Sequence, residues 1–177
     1  MEMYFSATRR KASTEDVMHR KKHIWCTVMI ILITAFDQIT KFLAVRYLKG
    51  QEPVDFIKGV VCFNYSENTG MAFSMFSGAR WVFVVLTVIV CAGILWYLFS
   101  GRCKPLWLYW SLGVIAAGGI GNLIDRVLYG YVVDFIEPVF IDFAIFNIAD
   151  CAVTLGAVSL IIYLVFDLFK KEDKTVE

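Results

Sequence analysis

Between Trp81 and Ser100 the chain reads WVFVVLTVIVCAGILWYLFS, twenty residues without a charge. A hydrocarbon core about 30 Å thick takes roughly 20 apolar residues as a helix, and inside it every backbone N–H and C=O has to find its partner within the protein. Such a run predicts a membrane span. Leu106 to Ile124 supplies another, ending at Asp125; Ile24 to Val45 supplies a third, interrupted by Asp37 and Lys41; and Ile145 to Phe166 supplies a fourth. We therefore expect a membrane all-α bundle of four transmembrane helices, near residues 24–45, 81–100, 106–124 and 145–166. Composition agrees, because 59% hydrophobic residues and a mean hydropathy of +0.65 leave too little polar material to cover a soluble domain.

A net charge of +1 gives no reason to expect a nucleic-acid partner, but the placement of the cations is informative. Lys and Arg collect in short cytoplasmic segments. Residues 1–22, the turn at 101–105 and the tail after Phe169 hold eleven of the seventeen, and four spans put these three segments on one side. Both termini are expected in the cytoplasm of a multi-pass protein. The first apolar run continues through AFDQITKFLAV without a small-residue cleavage site, so it reads as retained. The expected organisation is a polar cytoplasmic arm (1–22), one membrane-embedded domain (23–168) and a charged cytoplasmic tail (169–177). Val54, Phe56, Val60, Phe63 and Tyr65, punctuated by Gly and Pro, predict a small β-rich element on the outer surface. VLYGYVVDFIEPVFIDFA, between the third and fourth spans, suits a loop at the lipid interface.

With this topology the polar residues of the spans gather at one depth, near the outer face. Residues three and four apart share a helix face. That rule groups Asp37 with Lys41, Asn122 with Asp125 and Arg126, and Asn147 with Asp150. A carboxylate inside a bilayer costs at least about 2.5 kcal/mol, so such residues face the bundle interior and act there. Asp37 with Lys41, and Asp125 with Arg126, read equally as paired charges that fix helix register. Asp150 has no adjacent cation, which argues for a chemical role. Gly118, Gly119 and Gly121 remove side chains beside Asn122, and close helix packing is the leading reading for them.

The two histidines, His19 and His23, lie toward the cytoplasmic side, which disfavours histidine-dependent serine or cysteine protease chemistry. There is no HExxH motif, and the five cysteines show no metal-binding spacing and read as packing residues, so neither a metal nor a cofactor is expected. Carboxylates remain. Two held close together keep one proton between them; the ionised member activates water and the protonated one polarises a scissile carbonyl. Spacing alone leaves open which two of Asp37, Asp125, Asp134 and Asp150 would pair.

Five blocks in order carry a resemblance: DQITK (Asp37 to Lys41), ENTGMAFS (Glu67 to Ser74), GGIGNLIDR (Gly118 to Arg126), VVDFI (Val132 to Ile136) and FNIAD (Phe146 to Asp150). Together they resemble bacterial lipoprotein signal peptidase, or signal peptidase II, over roughly Ile24 to Phe166. The resemblance implies an intramembrane aspartic endopeptidase of the bacterial cytoplasmic membrane, with four transmembrane helices and an extracytoplasmic β-cradle. Its implied substrate is a prolipoprotein with a diacylglyceryl cysteine, cut just before that cysteine at the outer membrane face. Membrane lipid and a cyclic-peptide inhibitor such as globomycin are the other implied partners. Asp134 and Asp150 match the catalytic pair, and Asp37, Lys41, Asn68, Gly118, Asn122, Asp125, Arg126 and Asn147 match positions that bind substrate or support the pair. Asp134, on the interfacial loop, would fold over Asp150 and offer a means of closing the site.

An ion- or proton-coupled transporter is the main rival, since intramembrane Asp, Asn and Lys also mark ion pathways. It would place polar groups through the whole bilayer depth, whereas Ile24 to Ala35 and Gly156 to Phe166 are almost wholly apolar. A purely structural subunit would tolerate Asp→Asn changes at both catalytic positions.

Overall fold

A computed structural model describes residues 2–70 and 80–176. Four helices carry the chain: α1 (Glu2–Tyr47), α2 (Arg80–Phe99), α3 (Leu106–Leu128) and α4 (Ile148–Val176). Each contains a segment long and apolar enough to cross a membrane: Arg20–Tyr47, Arg80–Phe99, Leu106–Leu128 and Ile148–Lys170. The segment read as a polar arm is helical from Glu2 onward and continuous with the first span. It contains neither Gly nor Pro, so nothing local stops a helix already nucleated by its apolar half from propagating through it.

Helix α3 is the centre of the bundle and packs against the other three. It is rich in small residues, and they bring neighbouring backbones close. A Cβ on Gly118 would run into the Ala149 carbonyl oxygen and lie 2.9 Å from the Val153 side chain. A Cβ on Gly121 would lie 2.6 Å from Asp37 Oδ2, and one on Gly119 would lie 2.8 Å from Cys91 Sγ. The glycines thus serve helix approach, as van der Waals packing in a lipid environment requires. The outward faces of the helices stay apolar and uncovered, with Ile31, Leu32, Ile89, Leu155 and Ile161 among the exposed side chains. Hydrocarbon is the solvent that suits them.

The two ends of the bundle differ. At the end joined by the tight α2–α3 turn, Cys26, Ile30, Leu98, Cys103, Tyr109 and Ala117 form a buried apolar cluster. His23 lies in this region, with Nδ1 2.8 Å from the Tyr109 hydroxyl and its ring against Phe99.

At the opposite end sits a three-stranded antiparallel sheet in the order β1 (Val54–Ile57), β2 (Val61–Asn68), β3 (Val132–Pro138). The first two strands are those expected from the alternating apolar residues. The third corrects the expectation that residues 127–144 form only a loop. VVDFI pairs with β2, with Asp134 opposite Ser66 and Val132 opposite Asn68. The signal was present in its β-branched and aromatic residues, but its long-range partner was not evident from local sequence. The other edge of β3 is closed by Phe146, whose carbonyl accepts from the N–H groups of Phe135 and Ile136. Val133 and Phe135 are buried with Ala44 and pack against Leu48 and Ile148, which seats the sheet on the ends of α1 and α4.

The fourth helix begins at Ile148, three residues later than the apolar run suggested. Asn147 is the reason. Its Oδ1 accepts from the Asp150 N–H at 3.0 Å, while Asp150 Oδ2 accepts from the Asn147 N–H at 3.2 Å. This reciprocal pair is a capping box. The third helix runs on to Leu128, past Asn122 and Asp125, because their polar atoms are satisfied by other elements.

Candidate active site

Asp134 projects from β3 and Asp150 from the first turn of α4, and both line one cavity of about 550 Å³. Asn68, Asn122 and Arg126 line it too, with Phe143 to Phe146 on one wall and Cys151, Thr154 and Leu155 on another. Leu155 and Phe143 are largely exposed on the flank of the bundle, so the cavity opens sideways between α4 and the chain that leads into it.

Asparagines hold the two carboxylates. Asn147 Nδ2 donates to Asp134 Oδ1 at 2.6 Å, and Asn68 Nδ2 donates to Asp134 Oδ2 at 3.0 Å. Asn122 Nδ2 donates to Asp150 Oδ1 at 2.8 Å, and the Asn147 N–H serves Asp150 Oδ2. Asn147 therefore touches both aspartates, one by its side chain and one by its backbone. Burial, reinforced by the charge of Asp150, pushes the Asp134 carboxyl up to about 7. A pair in this state retains a proton near neutrality.

Behind the cavity wall lies a second group of charges. Lys41 Nζ is 2.9 Å from Asp37 Oδ2, 2.9 Å from Asp125 Oδ2 and 2.9 Å from Asn122 Oδ1. All four side chains are buried. Each carboxylate also grips a backbone: Asp37 Oδ1 accepts from the Ala149 N–H at 2.8 Å, and Asp125 Oδ2 accepts from the Val133 N–H at 3.1 Å. Asp37 thus pins the element that carries Asp150, and Asp125 the strand that carries Asp134. The contact with Ala149 places an anion against the unpaired N–H groups of a helix start, where it is favoured.

The expected pairing of Asp125 with Arg126 is replaced by Asp125 with Lys41. Adjacent residues on a helix point about 100° apart, so Arg126 shares the cavity face with Asn122, four residues before it, while Asp125 turns toward α1. The Arg126 guanidinium reaches the Gly70 carbonyl at 3.3 Å and lies over the Phe83 ring. Gly118 is absent from the cavity lining; it permits the approach of α4. Met71 to Ser74, the second half of the ENTGMAFS block, lie outside the described residues. Sequence reading missed Gln38, whose amide donates to Asp37 Oδ2, Asp125 Oδ1 and the Gly121 carbonyl. An uncharged amide beside Asp37 in an apolar run was the available signal. Thr154 was also missed, although it lies one turn beyond Asp150 on the same face.

The asparagine-lined pair of carboxylates, set in a sideways-opening cavity, can activate water against a carbonyl without a histidine or a metal. Comparison with known proteins points the same way. The family model for signal peptidase II matches residues 29–166. A lipoprotein signal peptidase of Streptococcus pyogenes serotype M5 (strain Manfredo) is 41% identical over 153 residues, covering 86% of this chain and 97% of the relative. One from serotype M3 (strain SSI-1) is 40% identical over the same length. A bacterial membrane enzyme solved by the in meso method at 2.3 Å resolution superposes with a TM-score of 0.78 at 32% identity, covering 82% of this chain and 90% of that one. A second, at 1.9 Å, gives 0.72 at 31% identity, covering 78% and 91%. With a family match across most of its length, and relatives this similar covered almost end to end, this four-span chain belongs to the signal peptidase II family.

Proposed function

We propose that this bacterial multi-pass membrane peptidase removes signal peptides from prolipoproteins with Asp134 and Asp150 as its catalytic pair. The observation that carries the reading is the convergence of these two carboxylates, 16 residues apart in sequence, on one cavity with Asn147 hydrogen-bonded to both. In the reaction the ionised carboxylate takes a proton from water as it attacks the scissile carbonyl, and the protonated one donates to the carbonyl oxygen. The pair then returns a proton to the leaving amine. Asn68, Asn122 and Asn147 hold the carboxylates in place through this exchange, and Arg126 supplies positive charge to the cavity wall.

The sideways opening suits a substrate whose lipid stays in the bilayer while its peptide bond reaches the carboxylates. The substrate is a precursor bearing a diacylglyceryl cysteine, cut just before that cysteine. The sheet end faces outward and both termini face the cytoplasm, in keeping with the bias of Lys and Arg. A cyclic peptide such as globomycin would inhibit by occupying the same cavity. Asp134 belongs to a strand paired with β2 and bridged on its far edge by Phe146, so the sheet helps to hold it in the site.

The test is incubation of the purified protein with a diacylglyceryl-modified precursor and with its unmodified counterpart. Selective cleavage of the modified form is expected, and equal cleavage of the two would remove the lipid requirement. Asp134→Asn and Asp150→Asn should each abolish cleavage while the protein still accumulates in the membrane; substantial turnover by either overturns the catalytic assignment.

A further inference from the structure

The carbonyls in the last turn of α3 have no N–H partners within the helix, and they lie at the corner where the chain leaves Asn122 and Arg126 to reach the strand that carries Asp134. Arg80, the first residue of α2, fills this gap. Its Nε donates to the Arg126 carbonyl at 2.7 Å, and its Nη2 donates to the Val127 carbonyl at 2.8 Å. A guanidinium here also brings positive charge to the negative end of the helix dipole.

The corner is shaped to admit it. Gly130 has φ +89°, and a Cβ there would lie 3.0 Å from Arg80 Nη1, so a side chain at residue 130 would crowd the guanidinium as well as strain the turn. The Arg80 guanidinium also lies over the Trp81 ring, 5.1 Å from its centroid, which limits the directions it can take. Arg126 is joined on two sides: its carbonyl accepts from Arg80, and its own guanidinium donates to the Gly70 carbonyl, two residues beyond Asn68.

We infer that Arg80 is a positioning residue for catalysis, clamping the α3–β3 corner so that Asn122 and Arg126 on one side and Asp134 on the other keep a fixed relation across the cavity. It touches neither the reacting carboxylates nor the cavity, and acts through the two carbonyls it holds. Lysine can satisfy one of those carbonyls but lacks the planar fork that reaches both. The inference rests on the assignment of Asp134 and Asp150 as the catalytic pair.

The experiment measures kcat and KM of purified Arg80→Gln and Arg80→Lys on a diacylglyceryl-modified precursor, beside wild type and Asp150→Asn. A displaced catalytic group costs rate more than binding, so Arg80→Gln should lose about ten- to a hundredfold in kcat with KM within about twofold. Arg80→Lys should recover part of the loss. Gly130→Ala, which crowds the same guanidinium and also strains the turn, should lower kcat in both backgrounds, and by more in wild type than in Arg80→Gln. Wild-type kcat in Arg80→Gln, or equal losses in the glutamine and lysine variants, would overturn the clamp. If Arg80→Gln fails to accumulate, the lysine and Gly130→Ala variants carry the test: wild-type kcat in both would overturn it. Residual turnover by Asp150→Asn would instead overturn the underlying assignment, so the two failures are distinguishable.

Discussion

Two pairs of aspartates lie next to each other at the sheet end of this bundle, and they have been put to different uses. Asp37 and Asp125 share a lysine, whereas Asp134 and Asp150 share an asparagine. In the first pair the Lys41 ammonium lies 2.9 Å from both carboxylates, and each carboxylate also accepts from a backbone N–H of a neighbouring element. Such a buried arrangement is fixed rather than reactive, because removing the lysine would strand two buried carboxylates. In the second pair the hydrogen-bond donors to the carboxylates, among the described residues, are neutral amides. Burial and mutual repulsion then keep a proton on the pair near neutrality, which is what acid–base work needs. What touches a carboxylate, more than its depth, separates the scaffold from the proposed reaction centre.

This contrast can be broken by experiment. The largest effect is expected from exchanging charge for amide at the proposed catalytic pair: Asp150→Asn should lower cleavage by at least about a thousandfold, in the range seen when one member of an interdependent catalytic set is lost. The cap survives, because Asn still offers an oxygen to the Asn147 N–H, but its Nδ2 then faces the Asn122 amide donor, so a modest loss of thermal stability is expected. If Asp37→Asn lost as much activity at unchanged stability, the division between the pairs would fail.

The next effect is on folding. Lys41→Met leaves two carboxylates buried without their cation and should cost about 3–5 kcal/mol; a drop in melting temperature of the detergent-solubilised protein reads it, and an unchanged value would show that the pair does not depend on its lysine. Gly118→Ala should cost about 1–3 kcal/mol, since a methyl there runs into the Ala149 backbone, which cannot move without moving Asp150. Asn147→Ala removes a helix cap worth about 1 kcal/mol and the side-chain donor to Asp134 Oδ1, while the backbone N–H that serves Asp150 Oδ2 remains, so it should lower kcat as well as stability.

The smallest effect is a dependence on pH. The Asp134 carboxyl keeps its proton up to about 7 in the folded protein, whereas in the unfolded chain it would lose it near about 4. Folded protein therefore binds more protons between these values. The stabilisation is fully present below about pH 4 and is lost as pH rises toward about 7. The melting temperature of Asp134→Asn, measured relative to wild type, should rise across that window and then level off. Activity should fall on the alkaline side as the shared proton leaves. A wild-type-like pH trend in Asp134→Asn would assign the proton elsewhere.

Much was legible without coordinates. The four spans, the depth at which Asp37, Asn122 and Asp150 gather, and the first two strands follow from runs and periods that are local properties of the chain. Asn147 three residues before Asp150 is a cap signature that could have moved the start of the last helix from Ile145 to Ile148. Other features were not local. The pairing of VVDFI with β2, the turn of Asp125 away from Arg126 toward Lys41, and the reach of Arg80 to the end of α3 join residues 46 to 84 positions apart.

By itself the sequence determined that this protein lives in a bilayer and which side chains it can bring to the membrane boundary, because hydropathy sums over neighbours and any window of the chain reports it. Only the tertiary structure decided which carboxylate meets a lysine and which an asparagine. That choice depends on how each helix is rotated and how close its neighbours come, and both are set by contacts such as Asp37 with Ala149, 112 residues apart.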